Sequence, residues 1–284
     1  MSDYHLDHVS EKARATATFP KRLVINADDF GLTKGVSAGI AQAMLHGVVS
    51  STSAMACRPG TGSDLEQWGD RLAGQIGVHL QLTDGEPCAD PSRIRTLVNA
   101  DGRFPRLRRD LKKMKTDEIR TEWHAQMEKM LAAGLKPSHL DTHHHVHKAP
   151  AAFEVYCEIA KTYDIPARTV SPWMTEQMRA EGITCAAYCE TGWHKRGLTA
   201  EGLLGALEMA FDEYGDQGAV ELMCHPAFVD EELACSSNYV EEREEELRLL
   251  CSPELMKLLR ESGIEVIRVS DLDRLCAEVR PDAG

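Results

Sequence analysis

The chain alternates short runs of β-branched and aliphatic residues with longer segments in which apolar residues recur every three or four positions. The short runs are typical of buried strands, and the longer segments are typical of amphipathic helices. Strands that alternate with helices build parallel sheets, so the pattern predicts an α/β fold. About seven βα repeats fit an irregular (β/α) barrel better than an open doubly wound sheet.

The individual elements follow from the same patterns. The predicted strands are residues 23–27, 48–55, 76–82, 138–144, 167–170, 219–225 and 265–269. The predicted helices are residues 33–46, 63–73, 116–133, 150–163, 175–181, 201–214, 240–250 and 253–262. Residues 83–115 follow neither pattern and are rich in Pro, Gly, Asp and Arg. Because this stretch is longer than an ordinary connection, we predict a functional loop or lid inserted there.

The length and composition fit one domain. A single (β/α) barrel accommodates 284 residues. A chain with 43% hydrophobic and 27% charged residues is not the kind that stays disordered. Residues 1–20 lack a periodic apolar pattern and are predicted to form a disordered tail. Residues 21–284 are predicted to form the single folded domain.

The charge and the absence of apolar runs exclude several partners. The formal net charge is −13, which repels phosphate backbones and anionic lipid surfaces, so neither nucleic acid nor a membrane is expected to bind. The sequence contains no signal peptide and no apolar run long enough to span a bilayer, which predicts a cytoplasmic location. The nine cysteines are scattered, so most are predicted to be reduced and buried.

One predicted strand carries an unusual density of metal-ligand residues. Strand side chains alternate between faces, so His139, Asp141, His143, His145 and His147 would share one face. Burying several imidazoles and a carboxylate without partners would cost roughly a few kcal/mol for each group. Ligands of α/β proteins gather at the carboxyl ends of strands, where this run lies. The pattern therefore predicts a metal site.

A pair of adjacent carboxylates, Asp28 and Asp29, follows the first predicted strand. Two carboxylates this close repel each other unless a cation or a shared proton compensates. One of them can ligate a metal while the other remains as a base, and the residues alone leave open which does which. The alternative is that one of the pair only caps the following helix.

Two further histidines end predicted strands. His79 follows an apolar strand and supplies the third ligand of a two-histidine, one-carboxylate site with open positions. His225 ends a later strand and is a candidate fourth ligand or proton donor, or a residue that only bonds a carbonyl. Ligating imidazoles usually donate their second N–H to a carboxylate, and Asp141 is the candidate for that role.

The motifs around these residues resemble those of the YdjC-like carbohydrate deacetylases, which include the chitooligosaccharide (diacetylchitobiose) deacetylases. The resemblance extends from about residue 21 to residue 272, nearly the whole chain. The matching motifs are NADDFGLTKG (26–35), VSSTS (49–53), GVHL (77–80), PSHLDTHHHVH (137–147), CHP (224–226) and the spacing of Tyr239, Arg243, Glu246, Leu247, Ser252 and Pro253.

The resemblance implies a (β/α)-barrel-like deacetylase fold and a hydrolase that removes acetyl groups from N-acetylated sugars. It implies one divalent metal ion, Mg²⁺ or Zn²⁺, on Asp29, His79 and His143. It also implies Asp28 as the general base and His225, as imidazolium, as the proton donor. A homodimer is expected from the family alone. His145 and His147 are candidates for binding sugar hydroxyls or a second ion.

Two other functions compete with this one. An amidohydrolase-type metal hydrolase also uses paired histidines, but there the pair follows the first strand, where this chain has two aspartates. A non-catalytic metal-binding or sugar-binding protein would use the histidines without turnover. Such a protein has no need of a second carboxylate at Asp28, which disfavours it.

Overall fold

The computed structural model describes residues 20–106 and 108–272. The predicted N-terminal tail therefore lies outside the described residues, except for Pro20, and so do the last residues of the predicted domain, 273–284. Within the described ranges, none of the helices has the length and apolar content that a membrane crossing needs. Eight cysteines lie in the described ranges, and five of them are buried.

The described residues form a sheet whose strands all pair in parallel. The strands are β1 (Lys21–Phe30), β2 (Ser51–Ala54), β3 (Ile76–Leu80), β4 (Leu140–Thr142), β5 (Tyr188–Glu190), β6 (Val220–Cys224) and β7 (Ile264–Val266). Their order in the sheet is β4-β3-β2-β1-β6-β5, and β7 pairs with the first residues of β1.

The two ends of the sheet meet through an irregular segment. Leu140 of β4 donates its N–H to the carbonyl of Pro166 at 2.9 Å and accepts from the N–H of Arg168 at 2.9 Å. The same irregular segment also contacts the chain shortly before β5, where the N–H of Ala167 donates to the carbonyl of Thr184 at 2.9 Å. The predicted irregular (β/α) barrel is thus confirmed. The predicted strand 167–170 is reduced to a single bridge at Ala167.

The helices surround this sheet. They are α1 (Lys34–His46), α2 (Thr61–Trp68), α3 (Thr116–Ala132), α4 (Pro150–Tyr163), α5 (Pro172–Ala180), α6 (Ala200–Tyr214), α7 (Glu231–Ser236), α8 (Glu241–Leu250) and α9 (Pro253–Glu261). The sequence patterns missed α7 and β5, because six and three residues are too few to establish a period. The other helices lie within a few residues of their predicted bounds.

Side-chain caps fix where the helices begin and therefore how the loops leave the strands. The caps that accept a backbone N–H from the first turn are Thr33, Ser171, Thr199, Asp230 and Ser252. Such a bond satisfies one of the N–H groups that a helix start leaves without a partner. The strand-to-helix turn after β1 is held in this way, which matters because that turn follows the paired aspartates.

The predicted loop at residues 83–115 is irregular but packed. Apart from residue 107, which the structure does not describe, its regular structure consists of short 3₁₀ turns at Pro91–Arg93 and Arg108–Lys113. Four of its apolar side chains are buried in the main core: Ile94, Leu97, Phe104 and Met114. Each buried side chain of this size contributes roughly 1.5–3 kcal/mol, so the loop is anchored along its length.

Gly77 of β3 allows β3 and β4 to lie close together. A Cβ atom at this position would lie 2.6 Å from the Nδ1 and the carbonyl oxygen of His139. We expect Gly77→Ala to lower the free energy of unfolding by about 1–3 kcal/mol, because the two strands must separate. The control is Gly62→Ala in α2, where a Cβ meets nothing within 4 Å. Urea unfolding measures both variants, and equal stability would contradict the close approach.

Candidate metal centre

A bulge in β1 places both paired aspartates at the same end of the barrel. The register between β1 and β2 shifts between Ala27 and Phe30, and Asp29 has a φ of 73°. In a regular strand, adjacent side chains point to opposite faces. The bulge removes this alternation, and both Asp28 and Asp29 line one cleft. A non-glycine residue at positive φ costs about 1 kcal/mol or more, which the surrounding contacts must offset.

Three side chains from separate strand ends converge at the base of this cleft. The Oδ1 atom of Asp29 lies 3.0 Å from Nδ1 of His143 and 3.4 Å from Nε2 of His79. One ligand atom from each residue lies within 4.8 Å of the other two, and all three residues are buried. Two imidazoles and a carboxylate are a donor set that suits a divalent metal ion. The residues present therefore fit the predicted metal.

The histidine run does not continue as a strand, so the predicted common face is wrong beyond Asp141. β4 ends at Thr142, and residues His143–Lys148 form a 3₁₀ turn with φ of 58° at His144 and 51° at His145. The turn, and not strand alternation, carries the His143 ring toward Asp29. The His144 ring stacks on that of His143, with centroids 3.8 Å apart.

The turn also separates the two histidines that were predicted to lie farther along the cleft. His145 lines the cleft, and its Nδ1 is buried without a hydrogen-bond partner. His147 points elsewhere: its Nδ1 lies 2.5 Å from Oγ1 of Thr142, and its ring stacks on Tyr156. His147 is fully buried and is not one of the residues that line the cleft, and its predicted role in binding sugar hydroxyls or a second ion stays a prediction.

Asp141 contacts His79 on the side away from Asp29. Its Oδ1 lies 2.7 Å from Nδ1 of His79, and its Oδ2 accepts from Oγ of Ser53 at 2.8 Å. Burial alone would lower the pKa of His79, but the Asp141 carboxylate outweighs it and raises that pKa to about 10. The same contact directs Nε2 of His79 toward Asp29, as an orienting carboxylate does in metal sites.

A buried arginine that the sequence interpretation missed holds the other aspartate. Arg168 donates two hydrogen bonds to Asp28, both at 2.7 Å, and a third to Glu221 at 2.7 Å. It also lies 3.0 Å from Asp141. Burial would raise the pKa of Asp28, but the guanidinium outweighs burial and keeps it below its ordinary value. The signal was present in the sequence, because Arg168 and Glu221 interrupt apolar predicted strands.

A second arginine compensates the charge of Asp29. Arg243 of α8 donates to Oδ2 of Asp29 at 2.6 Å. Burial would raise the pKa of Asp29, but Arg243, followed by His143, holds it well below its usual range. The other carboxylate oxygen, Oδ1, is the one that faces the two histidines. Arg243 is one of the residues whose spacing resembles that of the family, but the spacing does not predict that Arg243 contacts Asp29.

His225 lies on the same cleft and is held by its backbone. Its N–H donates to Glu246 at 2.5 Å, and Glu246 also accepts from the hydroxyl of Tyr239 at 2.6 Å. Burial, with Arg243 nearby, lowers the pKa of His225 to about 4. The resting imidazole is therefore neutral at neutral pH, so the predicted imidazolium would have to form during a reaction.

The cleft above these residues has a volume of about 900 Å³. Its walls come from the turn at 143–148, the loop at 83–115, the segment Trp193–Arg196 and the residues after α7. The side chains farther from the cluster are polar or aromatic and include Asp84, Arg106, His194, Asn238 and Tyr239. The cleft is large enough for a small organic ligand.

Comparisons with known proteins show which family the chain belongs to. A sequence profile of the YdjC-like proteins matches residues 22–261. The carbohydrate deacetylase of Geobacillus stearothermophilus is 35% identical over 256 residues, which cover 90% of this chain and 100% of the relative. That of Vibrio cholerae is 37% identical over 258 residues, covering 88% and 96%.

A solved structure has the same fold. A crystal structure from Enterococcus faecalis, of a protein provisionally described as a cellobiose-phosphate cleavage protein, superposes with a TM-score of 0.80. It is 30% identical and covers 89% of this chain and 98% of its own. By the extent of these matches, the chain belongs to the YdjC-like family of carbohydrate deacetylases, as its motifs predicted.

Proposed function

We propose that the chain is a divalent-metal-dependent hydrolase that removes an acetyl group from an N-acetylated sugar. The observation that carries the proposal is the pairing of two differently held aspartates at one cleft. Asp29 faces two histidines, whereas Asp28 is clamped by Arg168 beside them. A protein that only binds metal or sugar has no use for a second carboxylate held ionised beside the ligands, as Asp28 is by Arg168. The presence of Asp28 therefore disfavours the non-catalytic alternative.

The contacts support Asp29 as the metal ligand and Asp28 as the base. Oδ1 of Asp29 faces His79 and His143, and Arg243 binds only the other oxygen. Both oxygens of Asp28 accept hydrogen bonds from Arg168, and Oδ1 also accepts from Asn26 at 2.9 Å. The lone pairs of Asp28 are therefore more fully occupied, so it is the weaker candidate ligand.

Asp28 has the properties of a general base in amide hydrolysis. Arg168 keeps its carboxylate ionised and fixes its orientation at the edge of the cleft. In the proposed reaction, Asp28 takes a proton from the water molecule that attacks the acetyl carbonyl. A divalent ion held by Asp29, His79 and His143, Mg²⁺ or Zn²⁺, would polarise that carbonyl and lower the pKa of the water.

His225 is the proposed proton donor to the departing amine. Its pKa is low in the resting site, so it begins as a neutral imidazole. Negative charge develops on the substrate oxygen as the carbonyl is attacked, and a nearby negative charge favours protonation of an imidazole. His225 can then accept a proton from solvent water in the cleft and pass it to the sugar nitrogen, while Glu246 holds its backbone.

A sugar with one or two rings is the proposed substrate, and a chitooligosaccharide is the chosen probe. The matched relatives from Geobacillus stearothermophilus and Vibrio cholerae are carbohydrate deacetylases. A cleft of about 900 Å³ lined by polar and aromatic side chains fits such a ligand. His145 and His194 line the cleft and are the proposed partners of the sugar hydroxyl groups. A homodimer and a cytoplasmic location stay predictions from the sequence.

The first test separates catalysis from binding. We expect Asp28→Asn to bind metal as tightly as the unchanged protein and to lose about 10²–10⁴-fold in kcat, because the base is lost. Acetate release from diacetylchitobiose with Mg²⁺ or Zn²⁺ measures the rate, and calorimetry measures the metal. Asp117→Asn, at an exposed position on α3, is the control. Full activity in Asp28→Asn would remove this residue from the mechanism.

The second test concerns the ligands. We expect His143→Ala to weaken metal binding by about 100-fold or more, because even indirect partners of a metal ligand contribute 10–100-fold. The metal content of each protein after dialysis against buffered Zn²⁺ or Mg²⁺ measures the affinity for metal without an activity assay. His124→Ala, on the outer side of α3, is the matched control. If His143→Ala retained both its metal and its rate, the site would be wrong.

The third test uses pH to examine Arg168. Arg168 lowers the pKa of Asp28, so the base stays ionised in mildly acidic solution. Arg168→Lys keeps a charge but loses the paired contact, so the pKa of Asp28 should rise. We therefore expect the acid limb of the kcat/KM profile to move to higher pH, and kcat to fall by roughly 10–100-fold as the base loses its orientation. The control is Arg95→Lys, at an exposed position, which should change neither the acid limb nor kcat. If the acid limb did not move in Arg168→Lys, Arg168 would not be the group that sets the pKa of the base.

A further inference from the structure

Two cysteines outside the candidate metal centre lie in contact, one shortly after β2 and the other in the loop at 83–115. Cys57 is buried three residues after β2, and Cys88 is half-buried in the loop at 83–115. Their Sγ atoms lie 3.7 Å apart although 31 positions separate them in the sequence. The contact joins the end of a barrel strand to the loop that forms part of the cleft wall.

Glu122 of α3 holds the backbone that carries Cys88. Its carboxylate accepts from the N–H groups of Cys88 and Ala89, each at 2.9 Å, and from Nε2 of Gln126 at 2.7 Å. The Glu122 side chain is fully buried, and the Cys57 thiol lies 3.8 Å from it. Three of these four donors share Oε1, and the N–H of Ala89 binds Oε2. Glu122 therefore serves as an anchor for the loop. Among the described residues the cluster offers three ligand atoms, from Cys57, Cys88 and Glu122, one fewer than the four of a structural zinc site.

The two thiols differ in solvent exposure and in the direction in which their pKa values are shifted. Cys88 reaches solvent, and its contact with Cys57 lowers its pKa. Burial raises the pKa of Cys57 well above its ordinary value. The thiolate is the form that reacts with oxidants, so Cys88 is the thiol that reacts first and Cys57 is the thiol poised behind it.

We propose that Cys57 and Cys88 are a peroxide-responsive dithiol that closes to a reversible disulfide and thereby restrains the cleft wall. In the first step, the Cys88 sulfur attacks hydrogen peroxide. An S–O bond forms, the O–O bond breaks, and the leaving hydroxide takes a proton to become water. In the second step, the Cys57 sulfur attacks the Cys88 sulfur, the S–O bond breaks, and a second water leaves with the Cys57 proton. Two thiols are oxidised and one peroxide is reduced to two waters.

The consequence for the cleft follows from the contacts beside the pair. Arg58, next to Cys57, forms an ion pair with Asp84. The N–H of Cys57 donates to Gln81 at 3.3 Å, and Gln81 donates to the carbonyl of Asp84 at 2.9 Å. Asp84 lines the cleft. Bringing the sulfurs from 3.7 Å to a bonding distance of about 2 Å must shift this segment, so the disulfide should act on substrate binding.

The test compares reduced and peroxide-treated full-length protein. Peptide mapping by mass spectrometry should recover a Cys57–Cys88 cross-linked peptide that dithiothreitol abolishes. The oxidised protein should also melt roughly 5 °C higher, because the cross-link restrains the unfolded chain. KM should change at least several-fold, and kcat should change less. Cys88→Ser and Cys57→Ser should abolish all three effects, whereas Cys251→Ser should retain them.

The outcomes are distinguishable from those of the proposed function. Cys235 is exposed at the cleft and remains in every variant, so its oxidation cannot imitate a change that Cys88→Ser removes. The absence of the cross-linked peptide after peroxide treatment would overturn the proposal, and so would a cross-link that leaves KM unchanged. Protection of both thiols by one bound Zn²⁺ in the reduced protein would overturn it in favour of a metal site. The mapping and melting need no turnover, so an inactive protein would not affect them.

Discussion

The buried guanidinium of Arg168 is the contact on which the site depends. It binds Asp28 and Glu221 directly and lies 3.0 Å from Asp141, and none of these groups reaches solvent to a significant extent. Carboxylates so close together cannot all remain ionised without a compensating cation. Removing one partner from a buried ionic group leaves an uncompensated charge that costs about 3–5 kcal/mol. Arg168 therefore stabilises the barrel and keeps the Asp28 carboxylate ionised through the same bonds.

Periodicity was sufficient to predict the barrel, because strands and helices of ordinary length dominate it. The predicted helix at 150–163 has the observed bounds, whereas α7 and β5 were missed because they are too short to show a period. The positions of Asp29, His79 and His143 at strand ends were also readable. The contact of Asp29 with Arg243 and that of the neighbouring Asp28 with Arg168 were not, because side chains separated by more than a hundred positions meet only through the fold.

Two departures from regular strand geometry shape the centre. The bulge at Asp29 turns adjacent carboxylates toward one cleft, and the turn at His143–Lys148 puts two successive residues at positive φ. Neither departure follows from side-chain alternation, which is why the common face predicted for the histidine run fails beyond Asp141. Residues in sparsely populated backbone conformations persist only where the surroundings over-determine them. Here the ion pair of Arg243 with Asp29 and the stacking of His144 on His143 supply such constraints.

The loop at 83–115 contacts the turn at His143–Lys148 and also forms part of the cleft wall. At its start, Oγ1 of Thr83 lies 3.0 Å from Nδ1 of His144, whose ring covers His143. A few residues later, Glu122 fixes the backbone of Cys88 from the barrel side. The loop is therefore held at one point by His144, which covers the candidate ligand His143, and at another by α3, with Asp84 between them on the cleft. A small shift at either contact must move Asp84 relative to the candidate metal centre, because the buried apolar side chains farther along prevent the loop from moving as a whole.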